Sequence, residues 1–299
     1  MEEFIANCAP HLKESSIKTY CFGLKALFKY LKFHLSIDQF RIEDHIESVI
    51  EYLATLPCKR RICIISALVN IKQQHPVLEQ LLKTCNEEDR TWENKQELTA
   101  SQKLAYLDWE SIIRTREQLA NRVAPLWTKL SLSNEQFYQL QDYVIACLYT
   151  YSPPRRCMDY IFMRPHEPET PYENGILTAD SDEDVLQPHF IFQKYKTAST
   201  YGNQKIKIPF MLWGILREWI KINPYSWLLT HHGKQMTSVS LTRTLQRIFE
   251  RPGFGVNMLR HAFVSDEFLK DVPFLDELKD VAYSLGHSMS ETMLYKKHN

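Results

Sequence analysis

Residues 175–210 read GILTADSDEDVLQPHFIFQKYKTASTYGNQKIKIPF, and the change of period inside this stretch decides the fold. Apolar residues no longer recur at steps of three and four but gather in short β-prone runs at Ile176–Thr178, Phe190–Phe192 and Ile206–Pro209. Turn-forming residues separate the runs, among them Tyr201-Gly202-Asn203 and the acidic DSDED at 180–184, which reads as a solvated turn. A small antiparallel sheet is expected here. Upstream, WESIIRTREQLANRV and LSNEQFYQLQDYVIACLYTY carry the helical period, and the second has to stop at Ser152-Pro153-Pro154. Downstream, SVSLTRTLQRIFE, NMLRHAFVSDEFLK, DELKDVAYSLG and SETMLYKKH restore it. The expectation is a mainly α protein in which one small antiparallel sheet is inserted into a helical domain.

A second, wholly helical domain is expected over residues 1–90. Ser15 or Ser16 can cap a helix through IKTYCFGLKALFKYLKFH, in which Tyr20, Leu24, Leu27, Phe28 and Leu31 form an apolar stripe. Lys18, Lys25, Lys29 and Lys32 fall on another side of it, where ammonium groups can follow a phosphate backbone. Further helices are expected at 43–55 and 60–74. The polar stretch that follows has no sustained apolar period, so residues 91–108 read as a linker and 109–299 as the second domain.

Composition removes several function classes. With 8 Gly against 14 Pro, and neither G-x-G-x-x-G nor G-x-x-x-x-G-K-[ST], a phosphate-cradling nucleotide site is not expected. Seven dispersed cysteines without a C-x-x-C indicate neither a disulfide framework nor a zinc ribbon, and His231-His232 reads as a loop dipeptide rather than a metal pair. No uncharged run is long enough to span a membrane, and the N-terminus lacks the order of a signal peptide, so the chain is expected to stay inside a cell. The zero net charge conceals an asymmetry: residues 188–299 hold 15 Lys and Arg against 9 Asp and Glu, and residues 1–187 hold 21 against 27. The C-terminal part is where contact with a polyanion is favoured.

That part also carries chemically coherent residues. Arg260 lies in GVNMLRHAF, with Asn257 placed as an N-cap; His287 follows Gly286, which can end a helix in the left-handed conformation; Tyr295 comes eight residues later. Arg156 follows the Pro-Pro break, and Lys196 sits in the turn-rich KYKTASTYGNQKIKIP. Two guanidiniums, an ammonium, an imidazole and a phenol suit phosphodiester transesterification. Arginines stabilise charge growing on the non-bridging oxygens, a Tyr hydroxyl attacks phosphorus, Lys protonates the departing oxygen, and His binds the phosphate or moves a proton. Neither metal nor cofactor is required.

In order and spacing, R-x-x-D at Arg156–Asp159, Lys196-Thr197, x-x-L-R-H at Asn257–His261, L-G-H-S at 285–288 and Tyr295 resemble the tyrosine recombinases, the phage-integrase-like superfamily. The N-terminal SSIKTYCFGLKALFKYL resembles the start of that family's helical core-binding domain, and the surroundings of the motifs resemble integrases of large viruses and mobile elements. The resemblance implies that Arg156 and Arg260 bind the scissile phosphate, Lys196 is the general acid, His287 assists and Tyr295 is the nucleophile. It implies a 3′-phosphotyrosine intermediate without ATP or metal, double-stranded DNA as partner, and four protomers on two DNA sites, monomeric or dimeric off DNA. The site of action would be a nucleus, nucleoid or viral replication compartment.

Three departures accompany it. Asn257 stands where the family usually has His, leaving a base role to His261 or water. The His287–Tyr295 gap is one residue shorter than usual, and only four residues follow Tyr295, so protomer contacts are expected to come from elsewhere than a C-terminal exchange helix. Arg155 competes with Arg156, which is preferred on the R-x-x-D spacing. Lys194 would share a strand face with Lys196, which is preferred for its Lys-Thr context. Arg243 and Arg247, on the polar side of their helix, are expected along DNA phosphates, and Arg260 could instead pair with Asp266 or Glu267. Two readings compete with recombination: a type IB topoisomerase-like or telomere-resolving enzyme, and a DNA-binding descendant without catalysis.

Overall fold

The computed structural model describes residues 1–178, 187–268 and 275–296, with Leu275 and Asp276 described in backbone only. The DSDED turn lies outside them. The chain divides into two units, Met1–Lys95 and Gln96–Asn299.

The N-terminal unit is helical: α1 (Glu2–Cys8), α2 (Glu14–Tyr30), α3 (Ile46–Ala54), α4 (Cys58–Asn70) and α5 (Pro76–Asn94). The apolar stripe of α2 buries Leu24, Leu27 and Phe28 against α3 and α4, through Val49, Leu53, Ile65 and Leu68. Neither Ser15 nor Ser16 caps α2; it starts one turn earlier, from Lys13, which contributes no capping side chain. Its other end explains why Lys32 leaves the lysine stripe. Phe33 N donates to Phe28 O (3.0 Å), Lys32 N donates to Lys29 O (3.3 Å), and Lys32 has φ +52°. This is a Schellman stop, sealed by Phe28 packing on Phe33 with ring centroids 5.1 Å apart.

The expected linker at 91–108 is largely built into structure. Helix α5 runs through Asn94, and α6 (Ala100–Ala105) opens on a reciprocal Thr99–Gln102 capping box that composition alone did not reveal. Leu98 and Ala105 are buried in the core of the C-terminal unit.

That core surrounds α8 (Asn134–Thr150), buried continuously from Leu140 to Tyr149; apolar and aromatic residues fill most of this span, and its polar side chains Gln141 and Asp142 are buried with partners on Thr230 and Arg247. Helices α7 (Trp109–Val123), α9 (Cys157–Ile161) and, further on, α11 (Phe210–Ile222) and α12 (Ser238–Ile248) complete the surround. Strands β1 (Gly175–Leu177), β2 (His189–Phe192) and β3 (Gln204–Lys207) form the expected antiparallel sheet in order β1-β2-β3, with Phe190 opposite both Ile176 and Ile206. A short helix, α10 (Ala198–Tyr201), occupies the β2–β3 connection where a plain hairpin was expected. A second sheet was not anticipated: β4 (Thr230–His231) and β5 (Lys234–Gln235) pair around His232-Gly233, both with positive φ. His231-His232 is thus a hairpin corner.

Three C-terminal helices follow: α13 (Val256–Ala262), α14 (Leu275–Leu285) and α15 (Met289–Leu294). A π-helical turn over Phe263–Phe268 continues α13. Among the described residues no helix is long and apolar enough to cross a membrane.

Candidate active site

Arg155 and Arg156 leave the Pro-Pro break at the start of α9 and part company there. Arg155 is buried: Nε donates to Asp159 Oδ2 (2.7 Å), Nη1 to Ser284 O (2.7 Å) and Nη2 to Gln204 Oε1 (2.9 Å). Its guanidinium also lies 3.8 Å from the Phe192 ring centroid. Arg155 thereby ties α9, β2, β3 and α14 together. Arg156 is only half-buried, and its guanidinium has no hydrogen-bond or ion-pair partner among the described residues. The Asp159 of the R-x-x-D spacing serves the other arginine.

Lys196 lies in the β2–β3 connection, pinned at both ends. Asn174 donates to Asp159 O (2.8 Å) and Lys194 O (3.0 Å) and accepts from Gln193 N and Lys194 N, each at 2.8 Å. Thr197 Oγ1 donates to Gly286 O (2.9 Å). Because β2 ends at Phe192, Lys194 and Lys196 do not share a strand face, and the fold separates them. The Lys194 ammonium sits 3.9 Å from the Phe162 ring centroid, whereas Lys196 is exposed and its charge reaches His287.

Arg260, His287 and Tyr295 meet. Helix α14 ends in a Schellman stop: His287 N donates to Ala282 O (2.9 Å), Gly286 N donates to Tyr283 O (2.9 Å), and Gly286 has φ +67°. The imidazole is thus fixed by the backbone that stops the helix. Ser288 then caps α15 in a reciprocal box with Glu291, and Tyr295 follows as its C-cap. The Tyr295 ring stacks on His287 (centroids 5.1 Å, planes 18° apart) and lies 4.7 Å from the Arg260 guanidinium carbon. The short His287–Tyr295 spacing therefore leaves the phenol at the cluster. Hydrogen bonds that hold this segment run from His261 Nδ1 to Tyr295 O (2.9 Å), Ser265 Oγ to Tyr295 O (3.5 Å) and Gln96 Nε2 to Met293 O (2.6 Å).

Arg260 has no exposed surface. Nη2 donates to Leu285 O (3.2 Å) and reaches both ring nitrogens of His287, Nδ1 at 2.9 Å. Nε and Nη1 are buried without a hydrogen-bond partner among the described residues. Asp266, one of the two carboxylates that could have paired with Arg260, is instead hydrogen-bonded by Tyr106 Oη, at 2.8 Å to each carboxylate oxygen, and by Trp109 N (3.1 Å). Burial, above all, lowers the Arg260 pKa to about 10, against support from Tyr295 and Asp159. Burial, and then the charges of Arg260, Arg156, Arg155 and Lys196, push His287 down to about 2. The imidazole is neutral, and since a guanidinium can only donate, the nitrogen that accepts from Nη2 presents its lone pair.

The remaining candidates lie outside this cluster or at its edge. Asn257 is exposed in the first turn of α13, whose N-cap is Gly255, so the expected Asn257 cap does not form. His261 is buried beside Tyr295, ring centroids 5.0 Å apart. Arg247 is exposed but already engaged: it makes a two-pronged pair with buried Asp142 of α8, with Nη2 2.8 Å from Oδ1. Arg243 is exposed and lines a groove of about 490 Å³ with His231, His232 and Ser240. On α2, Lys25 and Lys29 are exposed, while Lys18 pairs with Glu14 (2.5 Å). Sequence reasoning missed the positioning residues Gln96, Asn174 and Gln204; none carries a local motif, since each acts on backbone distant in the chain.

No protein-family model and no curated sequence matches the chain. It is similar to a crystal structure of XerA recombinase, with 13% identical residues and a TM-score of 0.44 over 99% of this chain and 94% of that one. At that level the likeness settles nothing about chemistry, and function has to be sought in the side chains.

Proposed function

We propose that the protein cleaves and rejoins DNA strands through a covalent 3′-phosphotyrosine, as a site-specific recombinase of the tyrosine type. What carries the reading is the meeting of Arg260, His287 and Tyr295 from separate segments, with two buried N–H groups of Arg260 unpartnered among the described residues. A buried cation with orphaned donors costs stability and is kept where an anion is to be met. A phosphodiester supplies two non-bridging oxygens for those donors, and Arg156 supplies a second guanidinium.

In the reaction the Tyr295 phenol oxygen attacks phosphorus, the 5′ oxygen departs with a proton from Lys196, and the phenol proton passes to His287, His261 or water. Attack by the 5′-hydroxyl of a partner strand reverses the step. Since Arg260 is wholly covered and the Tyr295 ring lies against it, the free protein is in a resting state. DNA has to displace the α15 segment before the phosphate reaches the guanidinium. Integration or excision of a viral or mobile element, by a tetramer on two DNA sites, is the task this chemistry would serve inside a cell.

The test is a denaturing gel of protein incubated with nicked fragments of its source DNA under chelation, beside Tyr295→Phe. An adduct formed only with Tyr295 is expected. A second reading, DNA binding without catalysis, is favoured by the absence of a proton acceptor at exposed Asn257; it predicts a salt-sensitive mobility shift and no adduct from either protein.

A further inference from the structure

The cysteines, dispersed in sequence, do not stay dispersed in the fold. Cys58 occupies the first turn of α4, directly after Pro57, and Cys85 lies in the middle of α5, the helix packed along α4. Glu88 follows Cys85 by three residues, which places its carboxylate one turn along the same face. The two sulfurs and a Glu88 carboxylate oxygen all lie within 4.8 Å of one another. Cys85 is completely buried, Cys58 half-buried and Glu88 exposed, so the cluster opens to solvent on its carboxylate side.

We propose that Cys58, Cys85 and Glu88 form a binding site for a thiophilic divalent cation such as Zn²⁺, with water as fourth ligand. Two thiolates and a carboxylate select a borderline-soft ion over Mg²⁺ or Ca²⁺, whose preferred donors are oxygens. Zinc–sulfur bonds of about 2.3 Å put tetrahedral ligand atoms roughly 3.8 Å apart, so no pair of donors has to close in by more than about 1 Å. Cys58 has the freedom to do this: its thiol now donates to Cys85 O (3.0 Å), a bond given up when the sulfur turns to the ion. Binding releases both thiol protons to solvent.

Lys59 does not compensate the cluster directly, being engaged by Asp89 (3.5 Å) and Glu93 (3.1 Å). The bound ion would clamp the start of α4 to the middle of α5 inside the N-terminal unit.

Co²⁺, whose thiolate complexes absorb by charge transfer, is the probe: the full chain is kept reduced with a phosphine, titrated with Co²⁺ and back-titrated with Zn²⁺. One equivalent should bind with thiolate charge transfer and be displaced by Zn²⁺. Loss of an outer-shell partner alone typically costs about 10–100-fold in affinity. Glu88→Gln, at an exposed ligand, should therefore cost about 10-fold or more, and Cys58→Ser about 100-fold or more. Cys63→Ser, at a half-buried thiol of α4 outside the cluster, should change nothing. No charge-transfer band in excess Co²⁺, or equal binding by wild type and Cys58→Ser, overturns the site; unchanged affinity in Glu88→Gln overturns the carboxylate ligand. None of these readouts depends on DNA cleavage.

Discussion

Two adjacent arginines should fail in opposite ways. Arg155→Ala removes the partner of Asp159, whose side chain is 2% exposed, and strands a carboxylate inside the C-terminal unit. Breaking a buried pair from one side costs about 3–5 kcal/mol. The lost bonds to Ser284 and Gln204 are not added to this, since water can enter the space vacated by the guanidinium. For a unit of this size each kcal/mol lowers the melting temperature by about 2–4 °C, giving a fall of about 6–20 °C. Arg156→Ala breaks no hydrogen bond or ion pair among the described residues, so stability should stay within about 0.5 kcal/mol. Covalent adduct formation should nonetheless fall by about 100-fold or more, because the phosphate loses a guanidinium. Tryptophan fluorescence is a suitable probe, since five of the six tryptophans (Trp109, Trp127, Trp213, Trp219 and Trp227) belong to the C-terminal unit. Adducts are scored below both transitions. An Arg155→Ala protein that melts with wild type yet forms no adduct, beside an Arg156→Ala protein that cleaves normally, would exchange the two roles and refute the reasoning.

Arg260→Met should leave the melting temperature unchanged or raised, since it removes a buried cation with two unpartnered N–H groups, while adduct formation drops by about 100-fold or more; a large loss of stability would mark Arg260 as structural. His287 stays neutral when folded down to about pH 2 but takes a proton at about 6.5 when unfolded, so its contribution is complete above about pH 6.5 and is lost as the pH falls below it. The slope from this group approaches about 1.4 kcal/mol per pH unit, and His287→Asn should flatten the acid limb of a urea-midpoint profile by that amount. Gly286→Ala forces a side chain into φ +67° with its Cβ 3.3 Å from Arg155 Nη2, so unfolding should become easier by about 1–2 kcal/mol in a denaturant titration. Asn257→His, at an exposed position, should leave melting unchanged, and single-turnover cleavage faster than wild type would show that a missing imidazole limits the natural rate.

How much of this was legible depended on the range of the interaction. The three-stranded sheet could be read from period and turns, and the Gly286 stop from one residue, because both are written in contiguous sequence. The composition of 91–108 read as a linker because a capping box of two polar residues looks like loop chemistry until Leu98 and Ala105 find their core. Lys32 left its stripe because a helix end is set by Phe28 meeting Phe33, a contact no lysine spacing records. Arg247 read as a phosphate contact with no partner of its own because Asp142 lies on another helix 105 residues away. The R-x-x-D spacing suggested a site arginine with its own carboxylate, whereas packing gives Asp159 to Arg155 at i and i+4, the separation at which helix side chains meet.

The proposed chemistry turns on which lone pairs are already in use. In the resting site Arg260 Nη2 occupies the accepting nitrogen of His287, so the neutral imidazole is unavailable to the phenol even though the rings are stacked. His261 is placed differently: its Nδ1 meets a carbonyl oxygen, which only accepts, so Nδ1 carries the hydrogen of that bond. A phosphate that draws the Arg260 donors to its own oxygens releases the His287 lone pair in the same movement. In the proposed reaction proton acceptance near Tyr295 would thereby be coupled to substrate, and the Asn257→His comparison tests whether an imidazole at that position adds to it. Burial is the larger reason that His287 is held neutral; a bound phosphate would offset only the second, the charges of Arg260, Arg156, Arg155 and Lys196. Under the proposed chemistry such a site would stay inert until DNA supplied both the target of attack and the charge that readies the base.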